Sequence, residues 1–282
     1  MSRVLSVRLV VVALMLSAGA ASAQTSTGTE GRRAFAWWLE DADTMEAKAV
    51  VVSVSTGRWV GMTGAQWDAP VAELAVGVTD WFRLSGSVPY YTAHYDDGFT
   101  SHGRGDAYFT AKFRLVDGWE HPVGVAIAPM LEVLSDLAVS DPTLNLNRVN
   151  WALPLCLEHN WEKTRVYASI GYFSRGAGFV GGAFEGRVSE WLTMSASVNF
   201  TRSMHTLESA TQDVLSRNRF DGAVTASFTL APRVGLYVSA GRTLSTLDQN
   251  GCKLALGTGL SVTLGGKPQQ PVPPVQAAPP PR

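Results

Sequence analysis

The amino-acid sequence predicts an all-β fold, a transmembrane antiparallel β-barrel of about twelve strands. Three observations predict it. A secretory leader begins the chain, apolar and polar residues alternate along most of the remainder, and short and long connections alternate between these segments. No apolar run after the leader approaches the roughly 18 residues of a membrane-spanning helix, so a membrane could be crossed only by strands.

Residues 1–23 have the features of a signal peptide. A basic start is followed by an apolar run at residues 9–16 and by Ala21-Ser22-Ala23, a pattern that predicts cleavage after Ala23. The leader carries two of the 23 basic residues, so the mature chain has slightly more acidic (24) than basic side chains. This balance gives no reason to expect nucleic acid as a partner.

From residue 47 onward, apolar and polar residues alternate with a period of two. Within residues 104–115, Phe109 and Phe113 share one face, whereas Lys112 and Arg114 share the other. Side chains of a strand point alternately to its two faces, so each segment has an apolar and a polar face. Twelve strands are predicted, at residues 47–57, 70–79, 82–92, 105–115, 122–133, 148–158, 164–174, 179–188, 191–201, 219–230, 234–244 and 253–264.

The predicted connections differ in length at the two ends of the strands. Five are short, at residues 79–81, 116–121, 159–163, 189–190 and 231–233. Five of the others are long and polar, at residues 58–69, 93–104, 134–147, 202–218 and 245–252. Short turns on the periplasmic side and long loops outside are typical of bacterial outer-membrane barrels.

Alternation alone does not decide which face points outward, because a lipocalin-like soluble barrel has its apolar face inside. Twelve strands around an apolar interior would leave a wide and poorly packed void. The polar face also carries charged residues in mid-strand, which favours a wet lumen and an outer surface that contacts lipid.

Tryptophans recur at the short turns. An indole ring favours the membrane interface, where its ring lies in the apolar layer and its N–H meets water. The sequence therefore predicts an interfacial belt at the periplasmic rim that consists of Trp81, Trp119, Trp161 and Trp191.

The polar face predicts a charged lumen. Its acidic residues are Glu73, Asp106, Glu132, Glu158, Glu185 and Asp221, and its basic residues are Arg83, Lys112, Arg114, Arg165, Arg187 and Lys253. Strand direction makes the outer half acidic and the periplasmic half basic. These charges either brace the barrel through salt bridges or line a path for solutes, and both roles are compatible.

Opposite charges across a narrow lumen are expected to pair, because an unpaired charge there loses part of its hydration. We therefore expect a constriction near the periplasmic side formed by Arg114, Glu158, Arg165, Glu185 and Arg187. Glu158 and Arg165 lie at the ends of adjacent strands joined by a short turn, which makes them the favoured pair.

Two segments flank the barrel, which is predicted to occupy residues 47–264. Residues 24–46 are an N-terminal lead-in that could stay in the periplasm, form a partial plug or follow the rim. Residues 265–282 hold seven of the fourteen prolines and predict a disordered periplasmic tail, either a spacer or a contact for a periplasmic partner.

The sequence contains little that indicates disulfides, a metal site or catalysis. Cys156 and Cys252 are too few for a disulfide framework, and the spacing of histidines and cysteines predicts no metal site. The five histidines stand in none of the patterns of barrel phospholipases or omptin-like proteases. We expect no cofactor and no catalytic residues, although a barrel enzyme with a triad assembled from loops remains the second alternative for function.

A resemblance to a known family is found in two stretches of the sequence. They are residues 77–90, which end in Val88-Pro89-Tyr90, and residues 103–115, which begin Gly-Arg-Gly-Asp. They resemble the outer-membrane channels associated with the meta-pathway of phenol degradation. The resemblance implies a 12-stranded barrel that admits small hydrophobic or aromatic compounds. The chain departs from that family at its last strand, which ends in Leu264 and not in phenylalanine.

These observations together predict an outer-membrane channel or uptake protein for small molecules. The first alternative is a structural or interaction barrel whose lumen is occluded. The partners expected are outer-membrane lipid, a small solute and the outer-membrane assembly machinery, while oligomeric state does not follow from the sequence.

Overall fold

The computed structural model describes residues 39–135, 148–174, 176–204, 218–245 and 251–265. The predicted signal peptide, residues 24–38 of the predicted lead-in, the proline-rich tail and most of the loops at 134–147, 202–218 and 245–252 lie outside these residues. Within the described residues, no helix is long and apolar enough to cross a membrane.

The described residues contain fourteen antiparallel strand segments. They are β1 (Val50–Val60), β2 (Gly64–Thr79), β3 (Phe82–Tyr95), β4 (Thr100–Arg104), β5 (Ala107–Val116), β6 (Gly124–Ile127), β7 (Met130–Val133), β8 (Val149–Asn160), β9 (Thr164–Phe173), β10 (Ala177–Ser189), β11 (Leu192–Ser203), β12 (Asn218–Ala231), β13 (Val234–Ser245) and β14 (Leu254–Leu264).

Two pairs of segments each form one barrel strand. Both β4 and β5 pair with β3, and both β6 and β7 pair with β8. The second interruption falls at Ala128-Pro129, where proline has no N–H for the ladder. The Pro129 carbonyl still accepts a hydrogen bond from the Ala111 N–H at 2.9 Å. The fourteen segments therefore form twelve strands.

The first and last strands close the sheet. β1 pairs with β14 from Val50↔Leu264 to Val60↔Leu254, so neither strand has a free edge. A sheet that closes on itself satisfies its backbone hydrogen bonds without water, as a bilayer requires. The predicted closed antiparallel barrel of about twelve strands is confirmed.

Apolar side chains cover the outside and polar side chains the inside. Val54, Leu74 and Phe109 are 54, 51 and 48% exposed, whereas Thr110 and Ser169 are only 2% exposed. This is the reverse of a water-soluble protein and suits an outer surface that contacts lipid. The alternative of a soluble barrel with an apolar interior is thereby excluded.

Two long loops predicted from composition are instead strand extensions. The loop expected at residues 58–69 is a turn at residues 61–63, because β1 and β2 continue pairing to Val60↔Ala65. The loop expected at residues 93–104 is largely the β3–β4 hairpin, with its turn at residues 96–99. Strands beyond the bilayer meet water on both faces, so their sequences need not alternate, and Gly, Asp and Thr there resemble a loop.

Phe109 gives a direct test of which face meets lipid. Replacing it with arginine is expected to lower the free energy of unfolding by about 2–4 kcal/mol, the cost of a cation near the bilayer midplane. Phe109→Leu keeps the site apolar and serves as the matched control. Urea unfolding in lipid vesicles measures both variants, and an equal loss in the two would contradict a lipid-facing position.

Candidate functional site in the barrel lumen

Residues 39–49, named here the lumen segment, run through the interior of the barrel. Leu39 packs against Tyr167 and Ala183 of β9 and β10. Met45 packs against Val51 and Ala75 of β1 and β2, on the opposite wall of the twelve-stranded ring. The segment therefore crosses the lumen from one wall to the other.

Between these two ends the lumen segment rests on a third part of the wall. Ala42 packs against Ala126 of β6, Ala128 in the interruption before β7, and Cys156 of β8. The Ala42 N–H also donates to Glu158 Oε2 at 3.1 Å. Because it contacts both walls and a point midway between them, the segment lies across the path through the barrel.

Charged residues hold the segment in the lumen. Lys112 Nζ lies 2.7 Å from Glu40 Oε2 and 2.7 Å from Asp41 Oδ1. Arg83 Nη2 lies 3.3 Å from Glu40 Oε2, and Arg165 Nη1 lies 3.1 Å from Asp41 Oδ2. We name Arg83, Lys112 and Arg165 the cation cluster.

Strand register explains why the cation cluster needs acidic partners. Arg83 and Lys112 are direct cross-strand neighbours of β3 and β5 and are both buried. Like charges opposite each other destabilise a sheet, and buried cations need compensating carboxylates. Glu40 and Asp41 of the lumen segment supply them.

A second set of contacts holds the segment nearer the short turns. Arg114 Nη1 lies 3.4 Å from Asp43 Oδ1 and 3.0 Å from Asp117 Oδ2. The Thr44 hydroxyl donates to the Asp80 carbonyl at 2.6 Å, and the Ala47 N–H donates to Asp80 Oδ1 at 2.8 Å. These contacts place this part of the lumen segment at the short-turn end of the barrel.

Gly77 of β2 lets the segment approach the wall closely. The Lys48 N–H donates to the Gly77 carbonyl at 2.6 Å. A Cβ atom at Gly77 would lie 2.0 Å from the backbone oxygen of Glu46 and 3.1 Å from the Met45 Cβ. A side chain at this position is therefore incompatible with the seated segment.

The two aspartates of the segment differ in acidity. Burial works to raise the pKa of Asp41, but Lys112, Arg165 and Arg83 together hold it well below its ordinary value. Burial and the neighbouring charge of Asp41 raise the pKa of Asp43. Ionised Asp41 stabilises the seated segment above the pKa of a free aspartate, about 4, and this contribution is lost as the pH falls through the lowered pKa.

The favoured partner of Arg165 differs from the expected one. Arg165 Nε lies 2.8 Å from Glu185 Oε1, whereas its Nη1 lies 3.9 Å from Glu158 Oε2. The register places Glu185 directly opposite Arg165, while Asn160 occupies the equivalent place on β8. Glu158 is left to accept the hydrogen bond from Ala42.

Arg187 was expected in the constriction but is exposed and outside the cation cluster. The strand is irregular between Arg187 and Ser189, and the Arg187 N–H donates to the Lys163 carbonyl in the neighbouring turn. Lys253 is likewise exposed, at the opposite end of the barrel.

The remaining predicted lumen acids lie toward the outer end. Glu132 Oε1 accepts from the Tyr108 hydroxyl at 3.1 Å, and Asp106 Oδ1 accepts from the Ser135 N–H at 2.7 Å. Asp221 binds Arg219 Nε at 2.7 Å. Glu73 on β2 is partly buried and lies opposite Ser53 and Ser87.

The four tryptophans of the predicted belt are exposed at the short turns. Trp81 and Trp191 are 55 and 57% exposed. Trp119 and Trp161 are similarly exposed. Trp81 stacks with Phe113 at 6.4 Å and Trp191 with Phe228 at 6.1 Å between ring centroids.

Sequence reasoning did not assign Glu40, Asp41 and Asp43 to the lumen site. The signal was the charge of the periplasmic half, where the predicted lumen residues have five cations against two acids. An excess of positive charge inside the lumen requires anions from elsewhere in the chain. The run Glu40-Asp41-Ala42-Asp43 supplies three.

Comparison with known proteins supports the fold. No protein-family model matches the chain, and no curated protein matches it. An outer-membrane channel from Pseudomonas putida is 15% identical over 79% of this chain and 98% of its own, with a TM-score of 0.58. The NanC porin is 10% identical over 76% of this chain and 100% of its own, with a TM-score of 0.54.

The KdgM porin gives a similar result, with 10% identity over 76% of this chain and 99% of its own, and a TM-score of 0.52. At such identities the likeness shows the fold alone. The chain shares its barrel with outer-membrane channels and porins, and its lumen must be interpreted from its own residues.

Proposed function

We propose that this protein is an outer-membrane channel for small molecules, exported by its signal peptide, in which the lumen segment controls passage. The observation that carries the proposal is the seating of Glu40 and Asp41 on the cation cluster inside the barrel. The closed form is the barrel with this segment in place, and the open form is the barrel from which it has withdrawn.

Withdrawal is physically reasonable because the lumen segment is not part of the sheet, which begins at Val50. Most of its polar contacts are ion pairs and side-chain hydrogen bonds that water can replace. The closed wall beneath it keeps its own backbone ladder, so leaving the lumen does not require the barrel to unfold.

The solute is proposed to be small, because twelve strands enclose a lumen between the filled eight-stranded barrels and the wide porins. The resemblance of residues 77–90 and 103–115 to channels of the phenol meta-pathway supports hydrophobic or aromatic compounds. A structural barrel that is permanently occluded is the second candidate, because ion pairs this deeply buried would also brace a closed lumen.

Neutralising the carboxylates of the segment separates the two candidates. In the E40Q/D41N/D43N variant the segment loses charge-assisted contacts worth about 1.5–3 kcal/mol each. A 1.4 kcal/mol shift is tenfold in an equilibrium, so we expect uptake of a neutral pentose into proteoliposomes to rise about tenfold or more.

The matched control is E120Q/E162Q/E190Q, which removes three exposed acids at the short turns. It should leave pentose uptake at the wild-type rate. Uptake that stays at the rate of protein-free liposomes in both variants would show a permanently occluded barrel. Wild-type uptake as fast as that of the segment variant would show that the segment does not obstruct passage.

A further inference from the structure

We propose that the cation cluster is a binding site for small apolar carboxylates, and that a solute carboxylate takes the place of Glu40 and Asp41 when the channel opens. This inference rests on the proposed function, since it assumes that the lumen segment can withdraw. It identifies the solute class as organic acids with an apolar body, such as aromatic acids.

The first argument is that the cation cluster without a bound anion is unfavourable in free energy. Arg83 and Lys112 are at most 1% exposed, and they are direct neighbours of the same charge. When Glu40 and Asp41 withdraw, Arg83 and Lys112 lose the carboxylates of the segment, which lie within 3.3 Å of them. Water that enters the lumen only partly offsets the repulsion between these two neighbouring cations, so an anion from solution should enter as the segment leaves.

The second argument is that the contacts already in place are those of carboxylate recognition. Two separate carboxylates meet at Lys112 Nζ, each at 2.7 Å. Arg165 adds a guanidinium that binds Asp41 at 3.1 Å while its Nε stays on Glu185. Glutamate and aspartate side chains present the same anionic group as a free organic acid, so the cluster requires no rearrangement to accept one.

The third argument concerns what surrounds the charges. Leu39, next to Glu40 in the chain, packs against Tyr167 and Ala183. Ala42, next to Asp41, packs against a small apolar surface that includes Ala126 and Cys156. Withdrawal of the segment therefore leaves apolar walls beside the cations.

Tyr167 adds an aromatic surface to this space. The Arg165 guanidinium lies 5.2 Å from the centre of the Tyr167 ring, and Tyr167 is only 1% exposed. An aromatic acid could place its carboxylate on Lys112 and Arg165 and its ring on the surface that Leu39 now covers. Neutral sugars lack both the carboxylate and the aromatic ring, so they fit the site less well.

The test is calorimetric binding of benzoate, with benzamide as its neutral counterpart of the same shape, to the full-length protein in detergent. In the wild type the segment competes with benzoate, which weakens the apparent affinity by the fraction of closed protein. In E40Q/D41N the competing carboxylates are gone, so we expect benzoate to bind about tenfold more tightly. Benzamide should bind to neither protein.

A gain of affinity separates this role from a structural one, because damage to the lumen would weaken binding. The control E120Q/E162Q should bind benzoate as the wild type does. If the double variant is too unstable to purify, E40Q alone is used and should show a smaller gain in the same direction. Equal benzoate affinity in the wild type and the segment variant, or equal binding of benzamide, would overturn the proposal.

The outcome also distinguishes this inference from the proposed function. Faster pentose uptake in E40Q/D41N/D43N without tighter benzoate binding would leave a gated channel but reject the carboxylate site. Tighter benzoate binding without faster pentose uptake would support the site and reject gating by the segment.

Discussion

Replacing Lys112 with methionine is expected to destabilise the closed form by about 3–5 kcal/mol, the usual cost of removing one partner from a buried ion pair. Lys112 is fully buried and is the cation that contacts both Glu40 and Asp41 at 2.7 Å. Methionine keeps most of the volume, so the loss reports charge and not packing. Because the lumen segment can move out of the barrel into water, the main result should be opening of the channel.

Pentose uptake by K112M proteoliposomes should therefore approach that of the open channel, while thermal unfolding of the barrel shifts less. The variant K112M/D41N removes one positive and one negative charge and should return toward the closed form. Glu40 still pairs with Arg83 in it, and Arg165 still pairs with Glu185. The four proteins form a double-mutant cycle that measures the coupling. K163M at an exposed turn is the control, and uptake by K112M at the rate of K163M would contradict this role of Lys112.

Gly77→Ala is expected to open the channel from the other end of the segment. The added Cβ would lie 2.0 Å from the Glu46 backbone oxygen, a clash that the seated segment cannot accommodate without moving. Overpacking costs about 1–3 kcal/mol, and here it acts on the closed form. Uptake of pentose should rise about tenfold, since 1.4 kcal/mol is tenfold in an equilibrium.

Gly182→Ala is the matched control for this change. Its Cβ would meet the Tyr167 carbonyl oxygen at 3.7 Å, an ordinary contact distance. Both substitutions add one methyl group to a barrel strand, but only the methyl group at position 77 would contact the lumen segment. Equal uptake by the two variants would mean that the approach at Gly77 does not hold the segment in place.

The twelve strands could be predicted because the bilayer imposes a strict rule on each of them. Residues that face lipid must be apolar and those that face the lumen can be polar, so the period of two is visible in segments such as 192–203. The rule ends where the strands leave the membrane. The extensions of β1, β2 and β3 at residues 58–60, 64–69 and 93–95 were therefore predicted as loops.

The partners in the lumen could be predicted only in part. The charged residues of the wall were identifiable because they break an otherwise apolar and neutral pattern. The choice of Glu185 over Glu158 for Arg165 depends on register to a single residue, which alternation does not determine. The acids of the lumen segment lie before the first strand, where no periodicity indicates that the chain turns inward.

Because Ala42 packs on Cys156, this cysteine is a natural probe for movement of the lumen segment. Cys156 is fully buried against the segment, while Cys252 is partly exposed near the opposite end of the barrel. Withdrawal of residues 39–46 would uncover the Cys156 sulfur to a reagent that enters the lumen. The reaction rate of this natural thiol with a small maleimide, relative to that of Cys252, would then report opening of the lumen without any substitution.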